Sequence, residues 1–467
     1  MTNKATQQQN YLVPFIIMVV VMALVGLITS LNQQFQAPMK AAYLLLGGKM
    51  TNTLTTALNF SFFSAYLLIG PVSANYVVRN GHKKTLILGL AILCISFLIY
   101  MCSAWVFDTF DFAKFESYIE EAKSIESLKA SGIGAMQEMA MNTGNFSVEL
   151  TPIGEFKGLA YTGPLMIPIA YWVFLAGSFV AGTALTYLQT VINPYILACD
   201  VKSTTGIQRQ SISGTFHSLM TTLAPLFVAY VIFGQKDGLE ISLSSLYLPF
   251  AILFLLVVLL NISVAKIHLP EVIGGSGTGE VLPDSVWSFS HFKWGFIALF
   301  CYLGVEVCVA ANVILYAQDD LSFTLKDASL ISFVYWAGCL TGRFVSSFLN
   351  NVSAQKQLLV GAIGGILCII LAMITEVPWF LGVVGLFHSI MWPAIFALAL
   401  DGLGRYTSKA SGILLMGCFG GALLPFVQGI LADAIGGWGI TWILVVIGEL
   451  YILYYSVAGY KIKKRVE

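Results

Sequence analysis

Apolar residues arrive along this chain in long runs that recur at nearly even spacing from residue 11 to residue 460. A bilayer core about 30 Å thick needs about 20 apolar residues in helical form, because inside it a backbone can hydrogen-bond only to itself. Twelve runs reach that length, at about 11–31, 53–78, 85–106, 163–198, 211–234, 244–267, 292–317, 329–349, 357–375, 378–401, 411–433 and 437–460. The pattern predicts an all-α integral membrane protein with twelve transmembrane helices. The first run is too long, and too polar toward its C-terminal side, for a signal-peptide core, and it is expected to stay in the mature chain.

Two of the polar breaks are long. Residues 268–291, which contain GlyGlySerGlyThrGly, read as a flexible linker between residues 1–267 and residues 292–467, two six-helix bundles. A faint internal echo supports that division: Gln189 lies five residues before Pro194, and His388 five residues before Pro393. Repeats of this kind place a substrate site near the midplane, between the halves, where rocking exposes it to either side in turn. The other break, residues 107–162, carries Asp108, Asp111, Glu116, Glu120, Glu121 and Glu126 and reads as a partly helical flap outside the membrane. It is expected to take no part in transport.

Composition agrees with this picture, at 57% hydrophobic and 10% charged residues with a mean hydropathy of +0.82. A net charge of zero gives no reason to expect a nucleic acid or an acidic macromolecule as partner. The distribution of charge says more than its sum. Lys4, Arg79, Lys83, Lys84, Lys202, Arg209, Lys266, Lys293, Arg343, Lys356, Arg405, Lys409 and the tail Lys461, Lys463, Lys464 and Arg465 fall on one side, against Lys40, Lys49, Lys236 and Lys326 in the short loops of the other. Positive charge stays in the cytoplasm, so both termini and the linker are expected there. The eight cysteines all lie in apolar runs without metal-type spacing and read as small buried hydrophobes; no metal site is expected.

Polar groups inside the spans are costly unless they meet a partner or a wet cavity, which makes them the candidates for function. They are Asn32, Gln33 and Gln34 in the first run, Gln189 and Asn193 in the fourth, Ser213, Thr215, His217 and Ser218 in the fifth, and Tyr302, Glu306 and Asn312 in the seventh. Tyr335 and Trp336 in the eighth, His388 and Trp392 in the tenth and Gln428 in the eleventh complete the set. Amides and hydroxyls pair with the hydroxyls of a neutral sugar, and an aromatic face covers its C–H surface. Each amide has an equally ordinary use as an interhelical hydrogen bond. Glu306 stands as the one carboxylate placed well inside a span, and it must be protonated, paired or bound to a cation. It is therefore the leading candidate for coupling to H+ or Na+, with His217 second. Arg343, Asp401 and Arg405, at inner helix ends, read as gate or latch residues.

At these positions the sequence also resembles a known family. LeuGlnThrValIleAsnProTyrIle at 188–196, SerGlyThrPheHisSerLeu at 213–219, TyrLeuGlyValGluVal at 302–307, TyrTrpAlaGlyCysLeuThrGlyArgPhe at 335–344 and SerIleMetTrpProAlaIlePheAlaLeuAla at 389–399 are similar to the fucose/galactose/glucose:cation symporters of the major facilitator superfamily. The runs at 402–416 and 420–433 extend the likeness, which covers the spans and leaves out the insertion at 107–162. The resemblance implies the major facilitator fold, a bacterial inner membrane, and sugar uptake driven by a cation gradient with no cofactor beyond the co-transported H+ or Na+. In fucose-type members an Asp in helix one and a Glu in helix four serve coupling and binding; the matching positions here are Gln33 and Gln189, and a glutamine cannot cycle a proton. The helix-four Gln and the GluVal at Glu306 lean toward hexoses, whereas His217 and His388 stand where many members have Asn.

The expected activity is alternating-access symport of a monosaccharide by a monomer in a lipid bilayer, with Asn32, Gln33, Gln189, Asn193, His217, Asn312, Trp336, His388 and Trp392 contacting the sugar. A carrier for a drug or organic ion would instead call for a greasier cavity or paired fixed charges, and an uncoupled sugar facilitator would lack the cation site. An enzyme is not expected, since no metal cluster, nucleophile elbow or phosphate-cradling loop is evident.

Overall fold

A straight helix of the 56 residues Thr51–Val106 would run about 84 Å, far beyond any bilayer. It is broken at Gly81, whose φ of 79° and ψ of 170° a side chain would resist, so the helical path crosses the membrane twice. This computed structural model describes residues 11–150, 154, 156–199, 201, 204, 206–234, 236, 238–269, 285–346 and 352–463. Among them are 11 helical runs long and apolar enough to span a membrane, and the Gly81 break divides one of these into two spans.

Span one is Leu12–Gln34; spans two and three are the arms before and after Gly81; spans four, five and six are Ile169–Ala198, Gly206–Leu226 and Tyr247–Lys266. Span seven is Ser290–Val307, continued by Val313–Asp319, and spans eight and nine are Leu325–Ser346 and Ala354–Thr375. Span ten is Trp379–His388 with Met391–Leu400, span eleven Thr407–Leu415 with Gly420–Ile435, and span twelve Trp442–Tyr454. Spans one to six make one bundle and spans seven to twelve the other, as in the major facilitator fold. The bundles meet where span two packs on span eleven and span five on span eight. Large apolar side chains such as Leu248, Leu259, Leu367 and Ile374 stay exposed, as suits a surface solvated by lipid.

Several spans depart from the uniform helices that hydropathy predicts. Helix continues through Asn32, Gln33 and Gln34, past the expected end at 31, and resumes after Phe35 as Gln36–Tyr43. Their amides are buried in protein, so polarity does not end the helix there. Span seven passes through a π turn at Cys308–Asn312, and span ten is interrupted between His388 and Met391. The fourth span begins at Ile169, later than the expected 163, after an extended stretch. The Gly-rich part of the linker, residues 270–284, lies outside the described residues.

The insertion is more than a flap. Helices Phe112–Ser127 and Ile133–Thr143 and an antiparallel hairpin of Phe146–Leu150 with Phe156–Tyr161 close over a second apolar core of Phe115, Ala122, Ile125, Met136, Phe146 and Tyr161. Leu46, from the loop after span one, belongs to that core. At the root of the insertion Asp111, 2% exposed, accepts a hydrogen bond from the backbone N–H of Ala170 at 2.8 Å and so caps span four, whose own N-cap residue is a proline.

Candidate functional site

Near the middle of the second bundle, polar side chains from four spans form one network. The hydroxyl of Tyr302 donates to Oε1 of Glu306 at 2.7 Å and lies 3.4 Å from the carbonyl oxygen of His388. The imidazole of His388 is 2.8 Å from the Tyr335 hydroxyl through Nδ1 and 2.5 Å from Oε1 of Glu449 through Nε2. Glycines permit the crossings that assemble it. A Cβ on Gly385 would stand 1.9 Å from the carbonyl oxygen of Tyr335, and one on Gly365 would stand 3.2 Å from the Glu449 carboxyl.

This network corrects the reading of Glu306 as the one carboxylate inside a span: Glu449 sits in the middle of span twelve, fully buried. A single carboxylate among ten apolar neighbours barely lowers the hydropathy of its run, which is why the pattern alone passes over it. It also places His388 at 0% exposure between spans eight and twelve, whereas Trp392, one turn on, is half-buried and stacks on Phe396.

In the first bundle, Gln189 donates from Nε2 to the Tyr66 hydroxyl at 3.0 Å. Cys418, between the two helical parts of span eleven, lies within electrostatic reach of both Tyr66 and Glu306. Asn193 is half-buried one turn further along span four. His217 is half-buried in span five, near Arg343, with its backbone carbonyl against Gly26 of span one. Asn32 points into its own bundle, donating to Asn59 at 2.9 Å and accepting from Ser178 at 2.7 Å, so it ties spans one, two and four together.

A third group of polar atoms bridges the bundles. Gln34 donates from Nε2 to Ser332 Oγ at 3.0 Å and reaches Ala310 O at 3.4 Å, a carbonyl in the π turn. Oε1 of Gln33, Oε1 of Gln34, both polar side-chain atoms of Gln36 and Nε1 of Trp336 are buried with no hydrogen-bond partner among the described residues. Trp336 follows Ser332 by one turn on the same face of span eight. Asn312 donates to Gln428 Oε1 at 2.9 Å, a bond within the second bundle that leaves its own Oδ1 unpaired among the described residues. Gln34 stood among the candidates of the first run without being assigned to the sugar, and Gln36 is an addition to the predicted set; its signal is the run of amides that continues past the expected end of the first span.

At the end of the molecule that carries the insertion, the bundles are tied together. Lys40 pairs with Asp319, and Asp433 accepts from the backbone N–H groups of Asn52 at 3.0 Å and Thr53 at 2.6 Å. Trp438 donates from its indole to Asp319 at 2.8 Å and from its backbone to Asp320 at 2.7 Å. Burial raises the Asp320 carboxyl above its ordinary value, while the N–H groups of Trp438 and Gly439 act against that rise. None of these latch residues stands in the predicted gate set. Of that set, Arg343 bonds the Ser218 hydroxyl across the bundles and Ser389 O at 3.3 Å. Asp401 is exposed at the end of span ten, and the side chain of Arg405 lies outside the described residues.

Buried amides with unused hydrogen-bonding capacity, in a molecule of two bundles tied across their junction, suit a two-state carrier for a small polar solute. No protein-family model matches the chain. A glucose/galactose transporter of Brucella abortus is 33% identical over 310 residues, covering 64% of this chain and 75% of that protein. The L-fucose-proton symporter of Escherichia coli is 26% identical over 315 residues, covering 60% of this chain and 70% of its own. The crystal structure of the Escherichia coli fucose:proton symporter superposes with a TM-score of 0.61 at 18% identity, over 96% of this chain and 98% of that one. The fold, the motifs and these likenesses agree: the chain belongs to the fucose/galactose/glucose:cation symporter family of the major facilitator superfamily.

Proposed function

We propose that this protein imports a monosaccharide by symport with a cation, through a central site that opens to one side of a bacterial inner membrane and then to the other. The observation that carries this reading is the set of buried groups with unused hydrogen-bonding capacity on Gln33, Gln34, Gln36 and Trp336. Buried polar atoms in a native structure find partners, and a polyol offers a donor and an acceptor at every hydroxyl. A lipophilic drug would leave all of them unpaired.

In this assignment Gln33, Gln34, Gln36, Gln189, Asn193, Trp336 and Trp392 contact the sugar, and Glu306 answers to the co-transported cation. Asn32 and Asn312 hold helices in place, and His217 borders the site beside Arg343. A hexose such as glucose or galactose is favoured by the name of the Brucella relative and by Gln189 in place of a carboxylate, and a proton by the name of the fucose symporter. The Lys and Arg distribution puts both termini and the linker in the cytoplasm, with residues 1–267 and 292–467 as the two rocking units. The latched end then faces outward, and the Arg343–Ser218 contact ties the bundles on the inner side of the site. A monomer suffices for this mechanism.

The test is uptake of labelled glucose, galactose, fucose and mannose into proteoliposomes, with proton and sodium gradients imposed separately. Concentration of one sugar under one gradient supports symport and names both partners. Exchange without accumulation would make the protein a facilitator, and no sugar movement by folded protein would overturn the reading.

A further inference from the structure

We propose that the co-transported proton is held by the His388–Glu449 pair, deep in the second bundle, with Glu306 as the group through which it enters and leaves. The proposal rests on the symport reading above and names the site that reading leaves open.

Three observations point to the pair. Both side chains are 0% exposed, and they approach to 2.5 Å. The second carboxylate oxygen of Glu449 has no partner among the described residues, as a carboxylate kept only to fasten helices would not be left. Glu306, by contrast, is 9% exposed and accepts from Tyr302, whose hydroxyl also lies against the backbone of His388. Glu306 is thus the more accessible end of the network, and the His388–Glu449 pair its fully buried end.

The chemistry closes with one proton. When the Tyr335 hydroxyl donates to Nδ1, the ring proton of His388 is on Nε2 and is donated to the carboxylate of Glu449, so the pair carries a charge of −1. A proton that leaves the Glu306 carboxyl and binds at Nδ1 breaks an O–H bond on Glu306 and forms an N–H bond on His388, and Glu306 regains a proton from the aqueous side, so that the network as a whole takes up one proton. Tyr335 then turns from donor to acceptor, and the pair becomes neutral. The groups that surround this exchange are Cys301, Tyr302 and Glu306 on span seven, Tyr335, Cys339 and Arg343 on span eight, Gly365 on span nine and Cys418 on span eleven. Arg343 is the one fixed cation among these groups, and it is committed to Ser218 and Ser389. A buried net charge is expensive in a bilayer, so the protonated pair is the form that crosses the occluded state readily.

The experiment compares wild type with Glu449→Gln and Tyr335→Phe in proteoliposomes loaded with glucose or galactose, whichever the wild type carries. Counterflow at equal pH reads sugar translocation, accumulation under an imposed pH gradient reads coupling, and the alkaline shift of a lightly buffered outer medium on adding sugar reads proton movement. E449Q is expected to keep counterflow within about threefold of wild type while losing accumulation and the alkaline shift. Y335F, which removes one oxygen and leaves the pair, is expected to move the pH at which accumulation is half-maximal. Wild-type accumulation and alkaline shift in E449Q overturn the proposal. If E449Q does not fold, an unchanged pH profile in Y335F overturns it in the same way. A wild type that accumulates sugar under sodium alone, or under neither gradient, refutes instead the reading on which the proposal rests.

Discussion

Asp433, near the end of span eleven, accepts a hydrogen bond from the backbone N–H of Thr53 at 2.6 Å, and so closes one bundle against the first turn of a helix in the other. The N-terminus of a helix carries exposed donors and a partial positive charge, and a carboxylate placed there contributes about 1 kcal/mol, up to about 2 when partly buried. Asp433→Asn is expected to shift the balance toward the form open at the latched end by about fivefold. Distance distributions between spin labels on the outer loops of the two bundles measure this. The Lys40–Asp319 pair is 22% and 24% exposed, so water screens it, and Lys40→Ala is expected to have the smaller effect. An unaltered distribution in the Asp433 variant would remove this latch from the cycle.

Gln189 spends its amide nitrogen on Tyr66 and keeps its carbonyl oxygen for another partner. Loss of one neutral hydrogen bond is worth about 0.5–1.5 kcal/mol, or roughly two- to tenfold in affinity. Gln189→Ala is expected to weaken sugar binding by that factor, read by equilibrium dialysis of labelled hexose, with normal insertion into the membrane. Unchanged affinity would take Gln189 out of the site. Tyr66→Phe leaves the amide in place without its anchor, and a smaller loss in the same direction is expected.

A glutamine at position 306 keeps the hydrogen bond to Tyr302 and cannot ionise. Glu306→Gln is expected to lower gradient-driven accumulation at least tenfold while counterflow continues, because a sugar can still exchange through a site that has lost its route for protons. Accumulation at the wild-type level by E306Q would separate this carboxylate from coupling.

The spans were legible because length and hydropathy are summed properties of about 20 residues, and a bilayer enforces them. Their interruptions were not, since the π turn at Cys308–Asn312 and the break after His388 depend on which neighbour accepts a given carbonyl or amide. Side-chain roles were legible in kind: Gln33, Gln189, Glu306 and His388 all stood out as polar groups in apolar runs. Their direction was hidden, because Asn32 and Gln33 are adjacent in sequence yet point about 100° apart around a helix, one toward Asn59 and the other unpaired. Glu449 was missed for a related reason, that its meaning comes from His388, 61 positions away in the chain. The hairpin in the insertion is short and half-exposed, and an acidic loop gave no reason to expect a second core.

The crossing of spans eight and ten yields the sharpest contrast between two chemically identical changes. Gly385→Ala puts a methyl group 1.9 Å from the backbone oxygen of Tyr335, and a backbone atom cannot swing aside as a side chain does. The two spans must separate, at a cost of about 3 kcal/mol by the scale of overpacked cores, and the Tyr335–His388 contact lengthens with them. Gly412→Ala, at an exposed position of the helix Thr407–Leu415, meets nothing within 4 Å and gains helix propensity of up to about 1 kcal/mol. Thermal unfolding in detergent is expected to show a lowered Tm for the first variant and an equal or raised Tm for the second. Transport should follow the same order, and a Gly385 variant as stable and as well coupled as wild type would show that this close crossing does not hold the network together.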